Sequence, residues 1–439
     1  MRPTTQSLRR RHGGAALSAL PTVLLLLLLL VLLAARRVSG ASELLLLSEF
    51  DASAVCLDGS PGGLYVKRAT GADADRWVFW FLGGGWSFTP DDAAVRATGR
   101  LGSSKSWAPT ATFGGILNED PAVNPDFAGW STAVFNYCCG SSYTSAQPKP
   151  VPYNATFSLH HRGRAMLDAS LEALAARAGL AAASDVVVTG SSAGGLSALL
   201  HVDYIANALP AANVVAMPDA GMFPMQPASD GSYQWTTDFV GAISMWNISS
   251  AAQVNAGCFE ATPPSMLWTC LSGPAFYARV AAPVFLLQSV VDWAQLASWA
   301  GLPTSCLDAP LTANCTAAQL SIIKGWTTVT QGSLNVSAAM SPRAYPRPNG
   351  SGGAVAAAAL APRKQGALAP PATNGGFFAA CIQHEQGYVD RRWNGDIVGG
   401  RLMRDAFADW VFSRNSSDTN HWRWDVEWPG NPSCQPPGP

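Results

Sequence analysis

The chain has 439 residues, 48 % of them hydrophobic and 13 % charged, with a formal net charge of −1. Such a composition suits a globular chain with one large core or two modest ones, and excludes a disordered or fibrous one. The near-neutral balance leaves no electrostatic footprint for nucleic acid or anionic lipid, so neither is expected as a partner.

In chain order, Arg9, Arg10 and Arg11 precede the apolar run ALPTVLLLLLLLVLLAA, and the small residues VSGA follow at 38–41. A basic stretch, an apolar stretch and small residues describe a secretory signal over residues 1–40. The competing reading is an uncleaved signal anchor, since the apolar run approaches the ~20 residues that span a bilayer and Arg36 and Arg37 follow it. A membrane is a partner only on that second reading. On either, the remainder of the chain is expected in the secretory lumen or outside the cell. Six N-x-[ST] sequons, at Asn154, Asn247, Asn314, Asn335, Asn349 and Asn415, agree with that compartment. So do nine cysteines. Cys258/Cys270 and Cys306/Cys315 are near enough in sequence to close local loops, and the odd count leaves at least one thiol unpaired within the chain.

Short β-branched and aromatic runs at 77–82, 132–137, 185–190, 213–217 and 283–290 predict strands, several of them apolar throughout. That is the pattern of parallel strands buried on both faces. Helical stretches at 159–178, 194–209 and 399–413 alternate with them. The alternation predicts an α/β fold, an open and mostly parallel sheet flanked by helices, in a single domain over 41–435. Residues 341–375 are almost all Ala, Pro, Gly and Ser with a few basic groups, and are expected to form a flexible surface insertion. The Trp- and Pro-rich tail ends near Cys434, which offers it a tether.

The chemistry starts at GSSAGG, residues 190–195, which fits G-x-S-x-G with Ser192 in the centre. With a strand before and a helix after, this predicts a sharp turn that presents the serine hydroxyl at the carboxyl edge of the sheet. An ordinary Gly/Ser turn is the bland alternative. A serine hydroxyl attacks an ester only with a base beside it and a carboxylate orienting that base. In this fold those two follow the serine in the order acid, then histidine. His384, after the apolar run GGFFAACIQ, is the expected base, and His421 in the tail is its rival. Asp292 at the end of VFLLQSVVD is the expected acid; Asp219 in VVAMPDAG also ends a strand, and either could instead cap a helix or close a loop. The strand at 77–82 runs into Gly83-Gly84-Gly85-Trp86. Its amides, with the Ala193 N–H, are expected to form an oxyanion hole. No C-x-x-C pair suggests zinc, and the chemistry needs no cofactor.

GGGW (83–86), YCCGSSYT (137–144), GSSAGGL (190–196), HVDYI (201–205), PDAG (218–221), LLQSVVDWAQL (286–296) and CIQH (381–384) together make the chain resemble the pectin acetylesterase family, which includes the animal carboxylesterase Notum. The resemblance covers most of the chain beyond about residue 45. By position it implies Ser192 as nucleophile, Asp292 as acid, His384 as base, and Gly85, Trp86 and Ala193 as the oxyanion hole. It implies hydrolysis of O-acyl esters: acetyl groups on pectin-like polysaccharide or, as the alternative, a fatty acyl group on a secreted protein. A catalytically silent wall-binding glycoprotein is the alternative of another class. Leu82 and Ser87 stand where plant members carry Glu and Cys, so the loop lacks that disulfide tether. Cys139 stands where the plant motif has Asp, and Ser191 replaces a plant Cys, as in the animal branch.

Overall fold

The computed structural model describes residues 41–307, 314–339, 366–414 and 420–434. Residues 1–40, the 341–365 part of the expected insertion, and the Asn349 and Asn415 sequons lie outside the described residues. From Ser42 onward the chain forms one compact unit.

In chain order the strands are β1 (Ser42–Leu46), β2 (Gly63–Lys67), β3 (Arg76–Phe81), β4 (Thr110–Ala111), β5 (Ser131–Phe135), β6 (Val151–Pro152), β7 (Ser158–Leu159), β8 (Asp185–Ser191), β9 (Asn213–Asp219), β10 (Phe285–Val291), β11 (Gly375–Ile382), β12 (Ile397–Val398), β13 (Arg401–Leu402) and β14 (Trp422–Trp424). Ten of them make one sheet in the order β14-β11-β10-β9-β8-β3-β5-β2-β1-β4. From β5 to β14 neighbours are parallel. β2, β1 and β4 close the other edge antiparallel.

Apolar runs without alternation produce this sheet because both faces are covered. In β3, Trp77, Phe79 and Phe81 pack into one core layer, whereas Val78 and Trp80 pack into the other. Val186 and Val188 of β8 likewise face the first layer and Val187 the second. The first layer is built against the helices Gly163–Ala178 and Ala193–Ala208, the second against Met403–Val411.

Strand order reverses at β3, which sits between β5 and β8. Crevices for ligands open where parallel order reverses, outside the carboxyl ends of the strands. Here that puts the loop after β3, residues 83–86, beside the turn after β8, residue 192.

Several boundaries differ from expectation. The helix expected from 159 starts at Gly163, because Ser158–Leu159 pairs with Val151–Pro152. The one expected over 399–413 runs Met403–Val411. Before it, Gly399 (φ 58°) and Gly400 (φ 77°) turn the β12–β13 hairpin, which a left-handed backbone allows cheaply only to glycine. Residues 366–375, expected within the flexible insertion, are tied to the sheet. Leu368 N donates to Asp185 Oδ1 (2.9 Å), the Asn374 side chain accepts from Val284 N (3.0 Å), and Gly375 opens β11. Composition hid these anchors, which are single polar contacts within a Pro/Ala-rich run.

Cys56–Cys138, Cys258–Cys270, Cys306–Cys315 and Cys381–Cys434 are disulfides, and Cys139 is free and buried. The tail is thus tethered through Cys434. Among the described residues no helix is long and apolar enough to cross a membrane.

Candidate active site

Ser192 lies between the end of β8 and the helix Ala193–Ala208, with φ 59° and ψ −125°. That left-handed backbone is strained for a serine and persists only where the surroundings fix it. Its N–H donates to the Asp219 carbonyl (2.9 Å), one strand away. The helix can start at once because Gly194 has no side chain, since a Cβ there would overlap the Phe81 carbonyl. Ser192 is 8 % exposed, enough to face a small reactant.

Asp292 follows β10 and serves two partners at once. Its Oδ1 accepts from Ala294 N (3.0 Å) and Gln295 N (3.2 Å), capping the helix Trp293–Ser298. Its Oδ2 accepts from His384 Nδ1 at 2.8 Å, with Gln288 Nε2 at 3.1 Å and Gln295 Nε2 at 3.3 Å alongside. The two readings of Asp292, cap and imidazole partner, therefore both hold, one for each oxygen. The cap fixes the carboxylate so that its second oxygen is pre-aimed at the ring.

His384 follows β11 and is buried. Burial alone would depress its imidazole; the Asp292 charge and hydrogen bond, with Glu385 and Asp219 behind, outweigh that and move it above its ordinary value. With Nδ1 bonded to Asp292, Nε2 lies on the side of the ring away from that carboxylate. The next residue ties this loop to the serine turn, because Ser191 Oγ donates to Glu385 Oε1 at 3.0 Å. Asp219, the rival acid, does not reach the ring by any hydrogen bond. Its Oδ2 accepts instead from the N–H groups of Gln386 and Gly387, each at 2.7 Å. Burial pushes that carboxyl up to about 7. His421, the rival base, accepts from Gly376 N through its backbone, at the far end of β11.

The glycine loop abuts the serine: a Cβ on Gly83 would lie 2.8 Å from that of Ser192. Every carbonyl of its central residues is engaged away from the site. Arg96 NH2 donates to Gly84 O and Arg96 Nε to Trp86 O (3.1 Å), while Tyr137 OH donates to Gly85 O (2.8 Å). In a planar trans peptide the N–H points opposite the carbonyl. Gly85 N–H therefore points away from Arg96, and Trp86 N–H away from Tyr137. A second brace joins this loop to residue 193. Trp86 Nε1 donates to Ser142 Oγ (2.7 Å), and that hydroxyl donates to the Ala193 carbonyl (2.7 Å). Ser142 is itself held by His201 Nε2, which donates to its carbonyl (2.8 Å). Burial, with Arg164 nearby, pushes His201 down to about 3, so it stays neutral.

The sequence reading missed Arg96, Tyr137, Ser142, His201 and Glu385. YCCGSSYT, which holds Tyr137 and Ser142, and HVDYI, which opens on His201, carry the trace of them, and Gly140, Ser142 and Tyr143 of the first have positive φ. Trp86 also borders a wall of rings. Phe223, Trp235, Phe239 and Trp299 have centroids 5.1, 5.8, 5.3 and 6.2 Å from its own.

A sheet of this order, with an elbow serine, a carboxylate-held imidazole and a glycine loop meeting at one rim, is the layout of the α/β-hydrolase-like carboxylesterases. The chain matches the model of the Pectinacetylesterase family over residues 37–345, and it belongs to that family. It is similar to Pectin acetylesterase 5 of Arabidopsis thaliana, at 26 % identity over 88 % of this chain and 82 % of that one. Similarity to Pectin acetylesterase 11 of the same plant is 28 %, over 83 % and 85 %. Human palmitoleoyl-protein carboxylesterase NOTUM is 30 % identical over 56 % of this chain and 50 % of its own. Among solved structures, the Wnt deacylase Notum from Drosophila superposes with a TM-score of 0.69 at 20 % identity, covering 90 % of this chain and 100 % of that one, a likeness of fold.

Proposed function

We propose that this chain is a secreted serine carboxylesterase that removes acetyl groups from a cell-wall polysaccharide of the pectin type. Ser192 is the nucleophile, His384 the general base and acid, Asp292 the carboxylate that orients it, and Gly85, Trp86 and Ala193 supply the oxyanion hole. The observation that carries this reading is the 2.8 Å bond between His384 and Asp292, on a loop tied to the serine turn through Glu385 and Ser191.

In the first half-reaction His384 Nε2 takes the Ser192 proton as Oγ attacks the acetyl carbonyl. The tetrahedral oxyanion is met by the amides of the glycine loop and residue 193, each such donor being worth about 3–4 kcal/mol. Collapse breaks the bond to the sugar oxygen, which leaves with the proton from His384 and so becomes the free hydroxyl. Water then repeats the sequence on the acetyl-serine, releasing acetate and restoring both side chains.

The ring wall beside Trp86 favours a short acyl group. Phe223–Trp235 and Trp235–Phe239 stack at 5.3 and 4.2 Å, and Trp235 meets Trp299 at 4.7 Å. Rings at these separations are in contact and leave no passage for a methylene chain between them. The names of the Arabidopsis relatives point the same way, while similarity to NOTUM supports a protein deacylase as the second reading. Hydrolysis of p-nitrophenyl acetate, octanoate and palmitate by the wild type and Ser192→Ala distinguishes them. Preference for acetate, lost in the variant, is expected. Preference for palmitate would favour the deacylase, and no hydrolysis at all the silent glycoprotein.

A further inference from the structure

Asp219 ends β9 exactly opposite Ser191 at the end of β8, and the two are paired in the parallel register. It touches both halves of the proposed machinery. Its backbone carbonyl accepts the Ser192 N–H at 2.9 Å. Its carboxylate Oδ2 accepts the Gln386 and Gly387 N–H groups, both at 2.7 Å, two and three residues beyond His384. Asp219 is fully buried, and its other oxygen, Oδ1, has no partner among the described residues. A buried carboxyl is costly, so one kept against two backbone N–H groups calls for a reason. A group retained there joins two segments that the sheet itself does not join at this height: the turn after β8 and the loop after β11, with β10 lying between β9 and β11.

We propose that Asp219 is the positioning residue that sets the distance between Ser192 and His384, gripping the serine turn with its carbonyl and the histidine loop with its side chain. Glu385 adds a parallel tie, through Ser191 on one oxygen and the Tyr388 hydroxyl (2.6 Å) on the other. The carbonyl grip belongs to any residue at 219; the carboxylate grip belongs to Asp alone, or in part to Asn, whose amide oxygen can still accept. Attack by an alcohol needs reacting atoms held within a few tenths of an ångström, and a shift of about 1 Å costs on the order of 100-fold in rate. Residue 219 touches no substrate, so its loss acts on the chemical step and leaves substrate affinity alone.

The inference rests on the triad reading above, and the test separates the two. Wild type, Asp219→Asn, Asp219→Ala and Ser192→Ala are compared for kcat and KM on p-nitrophenyl acetate and for the rate and site of fluorophosphonate labelling, with circular dichroism of each. Asp219→Ala is expected to lose about 100-fold in kcat with KM within about threefold, and to be labelled more slowly in proportion. Asp219→Asn is expected to recover at least a tenth of wild-type kcat. Asp219→Ala that is folded and keeps kcat within about threefold of wild type overturns the assignment. So does Asp219→Asn no better than a folded Asp219→Ala. If Asp219→Ala does not fold, Asp219→Leu, similar in size and without an acceptor, takes its place under the same limits, and Asp219→Asn below a tenth of wild-type kcat overturns the grip on its own. Labelling of the wild type away from Ser192 defeats the triad reading instead, whatever the Asp219 variants do.

Discussion

Replacing Ser142 by alanine removes one oxygen that holds two parts of the proposed oxyanion site together. That hydroxyl accepts from Trp86 Nε1 and donates to the Ala193 carbonyl, both at 2.7 Å. The carbonyl keeps a second donor, Ser197 Oγ at 2.7 Å, so the heavier loss falls on the buried indole N–H. An unpaired buried donor costs about 1–3 kcal/mol, which sets the expected loss of stability. Rate suffers separately. A whole oxyanion donor is worth about 3–4 kcal/mol, and Arg96 and Tyr137 still hold the loop carbonyls, so the donors are loosened and not removed. About 1.4–2.8 kcal/mol of transition-state stabilisation is then lost, or about 10- to 100-fold in kcat. The assay is initial-rate hydrolysis of p-nitrophenyl acetate over a range of concentrations, with urea unfolding on the same samples. A fall in kcat at near-constant KM is expected. A less stable variant with unchanged kcat would refute the reasoning, since it would show that the brace serves packing alone.

Asp292→Asn removes the charge that raises His384, so the rising limb of kcat/KM against pH is expected to move down while kcat drops by about 10⁴; an unmoved limb in a pH-rate profile would contradict this. Trp235→Ala is expected to open space beside Trp86 and raise the octanoate-to-acetate ratio of kcat/KM at least tenfold, since each methylene buried is worth about 0.8 kcal/mol. An unchanged ratio in a folded variant would mean that the ring wall does not border the acyl group. His201 and His161 are pushed down to about 3 and about 4, chiefly by burial, so the folded state keeps them neutral where the unfolded state binds protons. Their contribution is whole above pH 6.5 and is lost as pH falls from 6.5 toward 4 and then 3, several kcal/mol in all. His201→Gln should flatten that part of the acid dependence in urea titrations. Loss of Cys56–Cys138, which closes a loop across 82 positions and anchors the turn bearing Ser142, should cost about 4–5 kcal/mol in the chain-entropy account, read as a lower melting temperature of Cys56→Ala/Cys138→Ala.

Much of this arrangement was legible before any coordinates. The central strands announce themselves because burial on both faces demands unbroken apolar runs, as in 77–81 and 186–188. Ser192, Asp292 and His384 each follow a strand, so chain order nominates them, with Asp219 and His421 left as rivals that the family resemblance sets aside. The braces were not legible, for a physical reason. Arg96, Ser142, Glu385 and Asp219 act through a pair of hydrogen bonds each, to main-chain or side-chain atoms up to 194 residues away, and contacts of that kind leave no periodicity behind. In the sequence Asp219 reads only as a competitor for the acid's role, because a strand-terminal carboxylate looks the same whether it faces an imidazole or two amides. The antiparallel edge β1, β2 and β4 and the helix Ala317–Ala339 went unpredicted. That helix buries Ile323, Trp326, Thr327, Thr330, Leu334 and Ser337 on one face, but threonine and serine fill half of the stripe, so its apolar signal is weak.

Mass mapping of a fluorophosphonate adduct bears most directly on the whole account. One adduct is expected, on the peptide containing residue 192, absent from Ser192→Ala and formed at least 100-fold more slowly in His384→Ala. An adduct on any other side chain, or ester hydrolysis surviving intact in Ser192→Ala, would contradict it.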